Sequence, residues 1–173
     1  FTNRCIQVDE YLSTNISNIY ASGDVLDKTI PKLTPTATFE SNYIAGHILG
    51  MNENPINYPA IPSVLYTLPR LSNIGVSVDE ANDSENYKVI DVPFGKQMVF
   101  EYKNEIEAEI TIVLNHNKQL VGAAIYADDA PDLVNLLTFI VNQKLTAEDL
   151  NQMIFAFPGS SSGVIDQLKL AML

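Results

Sequence analysis

Hydrophobic and polar positions follow two different rhythms along the chain, and the change from one to the other separates strands from helices. Ala60 to Thr67, Tyr87 to Val92, Gln97 to Tyr102, Ala108 to Leu114 and Leu120 to Tyr126 are rich in Val, Ile, Tyr and Phe and bounded by turn residues. Such runs predict strands. Asn115 to Lys118 (NHNK) separates the last two runs by a hairpin-length connection, so those two pair antiparallel. Helical spacing takes over from about Ala130 to Gln143, and Thr146 with Asp149 opens a further helix through a capping-box-like pattern. Strands first and helices later predict an α+β fold, an antiparallel sheet of about five strands with helices packed on it. In the first of these helices Leu133, Val134, Leu136, Leu137, Phe139, Ile140 and Val141 spread over about 220° of the circumference. That exceeds the roughly 100° stripe of a one-sided helix, so a second apolar face needs a cover.

Ahead of this body lies a shorter leader. Asn18 to Ala21 (NIYA), closed by Gly23 and Asp24, reads as a buried strand ending in a tight turn. A helix follows, with Thr34 suited to the N-cap, Pro35 to the first helical position and Gly50 to the C-cap. Ala37, Phe39, Ile44, Ala45, Ile48 and Leu49 supply its apolar positions. Met51 to Tyr58 (MNENPINY) is polar and carries Pro55, as a linker does. The organisation predicted is a leader of residues 1–50, a linker of residues 51–58 and a body of residues 59–173.

Composition narrows the function classes. Lys and Arg number 10 against 21 Asp and Glu, a net charge of -11, which repels nucleic acid and anionic membrane surfaces. No apolar run approaches the roughly 20 residues a membrane span needs. Cys5 is the single cysteine, and His47 and His116 stand too far apart to form a local metal motif, so no metal site is predicted and a reducing, cytoplasmic setting fits. His47, on the predicted helix, and His116, in the hairpin, read as surface residues, and the acidic stretch Asp79 to Glu85 as a solvated loop. The chain opens at Phe1 without Met or a cleavable apolar leader, and reads as a piece of a longer protein.

The chemistry concentrates at Asn18 to Val25, NIYASGDV. A strand ending at Gly23 projects the Asp24 carboxylate from its carboxyl end, where α/β sheets bind ligands and where a carboxylate can accept hydrogen bonds from a sugar-like hydroxyl. The helix beginning near Thr34 offers unpaired N–H groups and a positive dipole end to negative charge. Taken alone, Asp24 is better read as a turn aspartate.

Its context resembles the second FAD-binding motif of the pyridine nucleotide–disulfide oxidoreductase family, which includes glutathione, lipoamide and mercuric reductases. The motif has the form T-x-x-x-x-(I/V)-(Y/F)-A-x-G-D, matched by Thr14, Ile19, Tyr20, Ala21, Gly23 and Asp24, with LTPTA at Leu33 to Ala37 about ten residues later. The resemblance implies that Gly23, Asp24, Leu33, Thr34, Pro35 and Ala37 bind FAD. Asp24 would meet its ribityl–phosphate part, and the helix end its pyrimidine edge. Ser41-Asn42 stands where the family often has Gly-Arg. Ile61 to Ala81 (IPSVLYTLPRLSNIGVSVDEA) is similar to the opening of the family's dimerisation domain, and Gln119 to Leu150 to the strand, helix and T-x-(E/D)-D-L turn that follow. Residues 1–50 then become the C-terminal segment of an FAD-binding domain and residues 59–173 a dimerisation domain, with a homodimer as partner and FAD and NAD(P)H as cofactors of the whole enzyme.

One departure bears on the reaction. Disulfide reductases of this family usually close with H-P-T-x-x-E, a His–Glu pair that exchanges protons with the leaving thiol. Here Phe157 occupies the His position and Ser162 the Glu position. Neither acts as that pair, and general acid–base help is worth about 10²–10⁴-fold. No catalytic residue is therefore assigned. Phe157 reads either as a packed aromatic beside a flexible Ser160 to Gly163 loop, or as part of a site adapted to another acceptor, a metal ion, oxygen or a quinone. The fingerprint G-x-G-x-x-G is absent from the sequence, so the piece alone is expected to be inactive, a dimerisation part or even a purely structural module.

Overall fold

The computed structural model describes residues 5–173. The chain divides into two compact units, Phe1–Pro59 and Ala60–Leu173.

In the first unit the dominant element is α1 (Thr34–Ile48). Leu33 takes the N-cap position without a side-chain cap bond, which moves the helix start one residue ahead of the sequence expectation and places Pro35 second in the helix. Its end is a Schellman motif: Met51 N–H donates to the Gly46 carbonyl at 2.9 Å and Gly50 N–H to that of His47 at 3.0 Å. Gly50, at φ +69°, supplies the left-handed residue this motif requires. Leu12, Ala21 and Leu26 form a small core, with Ile6, Val8, Tyr43, Ile44 and Ile56 packed on it. NIYA is not the buried strand that its composition predicts. Ile19 is 49 % exposed, and the segment makes only an isolated antiparallel bridge, Ser13 to Tyr20. His47 is half-buried rather than a surface residue, ringed by Tyr11, Tyr20 and Tyr43, with Nδ1 2.9 Å from the Asn52 carbonyl.

The second unit is built on a five-stranded antiparallel sheet in the order β1-β2-β5-β4-β3. The strands are β1 (Ser63–Leu65), β2 (Arg70–Gly75), β3 (Tyr87–Pro93), β4 (Glu109–Asn115) and β5 (Leu120–Ala127). β4 and β5 form the hairpin that NHNK predicts, with Asn115 Oδ1 accepting the backbone N–H groups of Asn117 and Gln119. β2 was hidden by its polar look, RLSNIG. Ser72 and Ile74 point inward, and the Ser72 hydroxyl is satisfied by donating to the Ala130 carbonyl at 3.0 Å. At its end Gly75, at φ +70°, faces Gly122 across the ladder. A Cβ on Gly75 would lie 2.0 Å from the Val121 carbonyl oxygen, and one on Gly122 2.0 Å from that of Val76, so both must be glycine.

Gln97 to Tyr102 is not a strand: Met98–Glu101 is a single helical turn, α3. It drives Phe100 into the core, where its ring packs 4.5 Å from that of Phe94. The acidic stretch is likewise not simply a loop, since Val78–Asn82 forms α2, capped by the Ser77 hydroxyl. Helix α4 (Ala130–Gln143) lies on β2 and β5. Its Leu133, Val134, Leu137 and Ile140 are buried within the unit, Leu136 and Val141 pack partly against the same core, and Phe139 stays 69 % exposed. The apolar arc is therefore largely consumed inside the unit. α5 (Ala147–Asn151) opens with the capping box of Thr146 and Asp149. Ser160 to Gly163 is not a flexible loop but the first turn of α6 (Ser160–Ala171), which buries Val164, Ile165 and Leu168.

Candidate functional site

Asp24 lies in a 3-10 turn, Gly23–Val25. Gly23 adopts φ +77°, and a Cβ there would come within 3.1 Å of the Ala37 Cβ, so the turn sits close against the first turns of α1. The two elements wall an open groove of about 680 Å³, lined by Gly23, Asp24, Lys32, Leu33, Thr34 and Ala37 among others. Of the residues expected at the cofactor, five line this one groove, and Pro35 sits between two of them in sequence. The first turn of α1 contains no acidic residue, so its dipole is unopposed there. Lys32 adds positive charge, its ammonium donating to the Asp24 carbonyl at 2.8 Å, while the Asp24 carboxylate is exposed. The groove thus offers one acceptor for hydroxyls beside a region suited to negative charge.

Behind the groove lies a network that the sequence pattern did not disclose. Glu40 is 1 % exposed, yet carries both oxygens paired: Oε2 accepts the Gly23 N–H at 2.5 Å and Oε1 the Tyr58 hydroxyl at 2.6 Å. Lys28 in turn donates to the Tyr58 oxygen at 3.0 Å. Burial and the bond to Glu40 push the Tyr58 phenol well above its usual range. Burial draws the Lys28 ammonium below its ordinary value against the pull of Glu40 and Asp9. Glu40 thereby fixes the amide that starts the Asp24 turn. The one available signal was its spacing, three residues after Ala37 and four before Ile44, on the helix face that turns inward.

In the second unit, Phe157 and Ser162 border a cleft of about 340 Å³ with Gln97, Met98, Asp166 and Gln167. Phe157 is 75 % exposed, which removes the packed-aromatic reading within this unit. Ser162 is buried and donates to the Gly159 carbonyl at 2.9 Å. Nearby, Asp129 accepts from the Ser160 hydroxyl at 2.6 Å and pairs with Lys103, which also donates to Ser160 at 3.1 Å. Burial alone would raise the Asp129 carboxyl, but the bonds from Lys103 and Ser160 outweigh it and hold the group below the usual carboxylate value. Among the described residues no cluster of His, Cys, Asp and Glu could hold a metal ion, and no helix is long and apolar enough to cross a membrane.

Residues 61–167 match the family model described as pyridine nucleotide-disulphide oxidoreductase, dimerisation domain. The chain is 32 % identical over 166 residues to an uncharacterized 19.7 kDa protein in a mercuric resistance operon of Staphylococcus aureus, covering 94 % of this chain and 92 % of that protein. It is 29 % identical over 171 residues to the mercuric reductase of Staphylococcus aureus, covering 97 % of this chain but 30 % of the reductase. Among solved structures, the HOCl-induced flavoprotein disulfide reductase RclA of Escherichia coli superposes with a TM-score of 0.85 at 20 % identity, over 98 % of this chain and 39 % of that one, which speaks for the fold alone. The chain therefore spans nearly all of one relative but about a third of a full reductase.

Proposed function

The chain belongs to the pyridine nucleotide-disulphide oxidoreductase family, and on that premise we propose that it serves as the dimerisation part, with one wall of the FAD site, of an NAD(P)H-dependent flavoenzyme. The observation that carries the reading is the single groove shared by the Gly23–Asp24 turn and the start of α1. In it Asp24 would accept hydroxyl hydrogen bonds from the ribityl–phosphate part, and Leu33, Thr34, Pro35 and Ala37 would seat the ring edge at the positive helix end. FAD, when bound, supplies the electron transfer between nicotinamide and acceptor. Residues 1–50 then act as the closing segment of the FAD-binding domain, residues 51–58 as a linker and residues 59–173 as the dimer-forming domain.

Phe157 and Ser162 favour an acceptor that needs no His–Glu proton exchange. The relative from a mercuric resistance operon and the similarity to mercuric reductase support a metal ion in that role ahead of oxygen or a quinone. The reach of the match over 92 % of the 19.7 kDa relative favours a second reading, in which a chain of this length is a structural, self-associating module. Gel filtration with FAD tests the first reading. The purified chain alone should pass through gel filtration with FAD and emerge colourless, since it holds one wall of the site; stoichiometric flavin retained by the chain alone would overturn the partial-site reading.

A further inference from the structure

We propose that the small cavity under the Gly23–Asp24 turn is a binding site for one water molecule, held between the Thr36 hydroxyl and the Glu40 carboxylate. The cavity measures about 10 Å³ and is bounded by Gly23, Lys28, Leu33, Thr36 and Glu40 among others. That is the space of a single water and too little for a larger ligand. Thr36 is 5 % exposed, and its Oγ1 has no hydrogen-bond partner among the described residues. Its neighbours on the same helix behave otherwise: Thr38 donates to the Thr34 carbonyl at 3.0 Å and Ser41 to that of Ala37 at 2.8 Å. A buried hydroxyl left unpaired is costly, so the usual resolution is an ordered water.

The wall supplies what such a water needs, two to four polar partners. Each Glu40 oxygen accepts one bond from the protein and retains capacity for another. Lys28 uses one of its three donors on Tyr58. Thr36 can both donate and accept. Because the carboxylate and the ammonium oppose each other, the site carries no net charge that would select an ion over water. The water would tie the first turn of α1 to the carboxylate that fixes the Gly23 amide. This inference does not depend on the flavin reading above.

The test exploits a difference in sign. Amide hydrogen exchange of the whole chain, read residue by residue, is compared for wild type, Thr36→Val and Thr36→Ser. With the water in place, Thr36→Val removes one of its anchors, and protection of the Gly23 and Ala21 amides should drop several-fold, while Thr36→Ser keeps it. If the cavity holds no water, Thr36→Val removes an unpaired hydroxyl, and protection should rise or stay unchanged, which overturns the proposal. A high-resolution crystal structure of the wild type decides independently of any variant. Density for a water within hydrogen-bond distance of Thr36 Oγ1 and a Glu40 oxygen is expected, and none there sinks the site.

Discussion

Tyr58 closes the first unit by donating its hydroxyl to Glu40 at 2.6 Å across eighteen residues of sequence. The bond ties the end of the polar 51–58 stretch to the middle of α1, and it leaves the other carboxylate oxygen free to hold Gly23. Removing the hydroxyl strands one oxygen of a buried charge. Tyr58→Phe should therefore destabilise the first unit by about 1.5–3 kcal/mol, the range for a hydrogen bond to a charged group. Urea unfolding followed through amide signals of residues 5–59 measures it. An unchanged midpoint would show that Glu40 finds another donor.

Part of the acid response of the second unit should run through Asp129. Its folded pKa lies below the ordinary 3.8, so its contribution is complete above that value and fades as pH falls through the folded pKa. Lys103, whose folded pKa is raised by Asp129 in spite of burial, contributes fully below 10.5 and weakens only above it. Both side chains are more than a third exposed, 37 % and 36 %, so solvent screens the pair and the effect stays below about 1 kcal/mol. Asp129→Asn should flatten the stability difference between about pH 3 and pH 6, measured by denaturant midpoints.

On the proposed reading, in which a flavoenzyme contains this segment, glutathione disulfide should be a poor substrate. Introducing Phe157→His together with Ser162→Glu restores the proton-transfer pair and should raise disulfide reduction by about 10²-fold where the rest of the site is intact. The buried environment of Ser162 makes the glutamate the harder of the two to accommodate, so Phe157→His alone is a necessary companion assay. Wild-type turnover already matching ordinary disulfide reductases would remove the argument.

Self-association should depend on the apolar surface the second unit leaves uncovered, including Phe139 at 69 % and Ile154 at 100 % exposure. Light scattering at micromolar concentration is expected to give a dimer, and Phe139→Asp with Ile154→Asp should shift it to monomer without loss of helical signal. A dimer indifferent to both substitutions would place the interface elsewhere.

Legibility in the sequence followed the range of the forces at work. The β4–β5 hairpin, α4 and the Thr146–Asp149 capping box are written in neighbouring residues and stand where the pattern puts them. α3 was missed because Val99, Phe100 and Tyr102 carry strand propensity, while the four-residue turn exists to bring Phe100 onto Phe94. β2 escaped because one of its inward positions is Ser72, which is apolar in role only once Ala130 takes its hydrogen bond. At the candidate site Gly23, Asp24 and the start of α1 were legible as a motif, whereas Glu40, Lys28 and Tyr58 meet through contacts that no local spacing announces.

The facing glycines of β2 and β5 impose a rule of inheritance on this domain. Where two side chains crowd one another, a loss of bulk on one side can compensate a gain on the other, and a lineage can cross between the two states. Gly75 and Gly122 permit no such exchange, because each added Cβ would strike the opposite strand's backbone rather than the partner's side chain. An alanine at either site therefore has no second-site remedy at the other, since neither glycine has a side chain to lose, and because the two positions share one stretch of ladder the double replacement should depart from the sum of the single penalties. The obstacle is the backbone of Val121 and Val76, so no change of side chain there makes room, and at these two positions drift has nowhere to go.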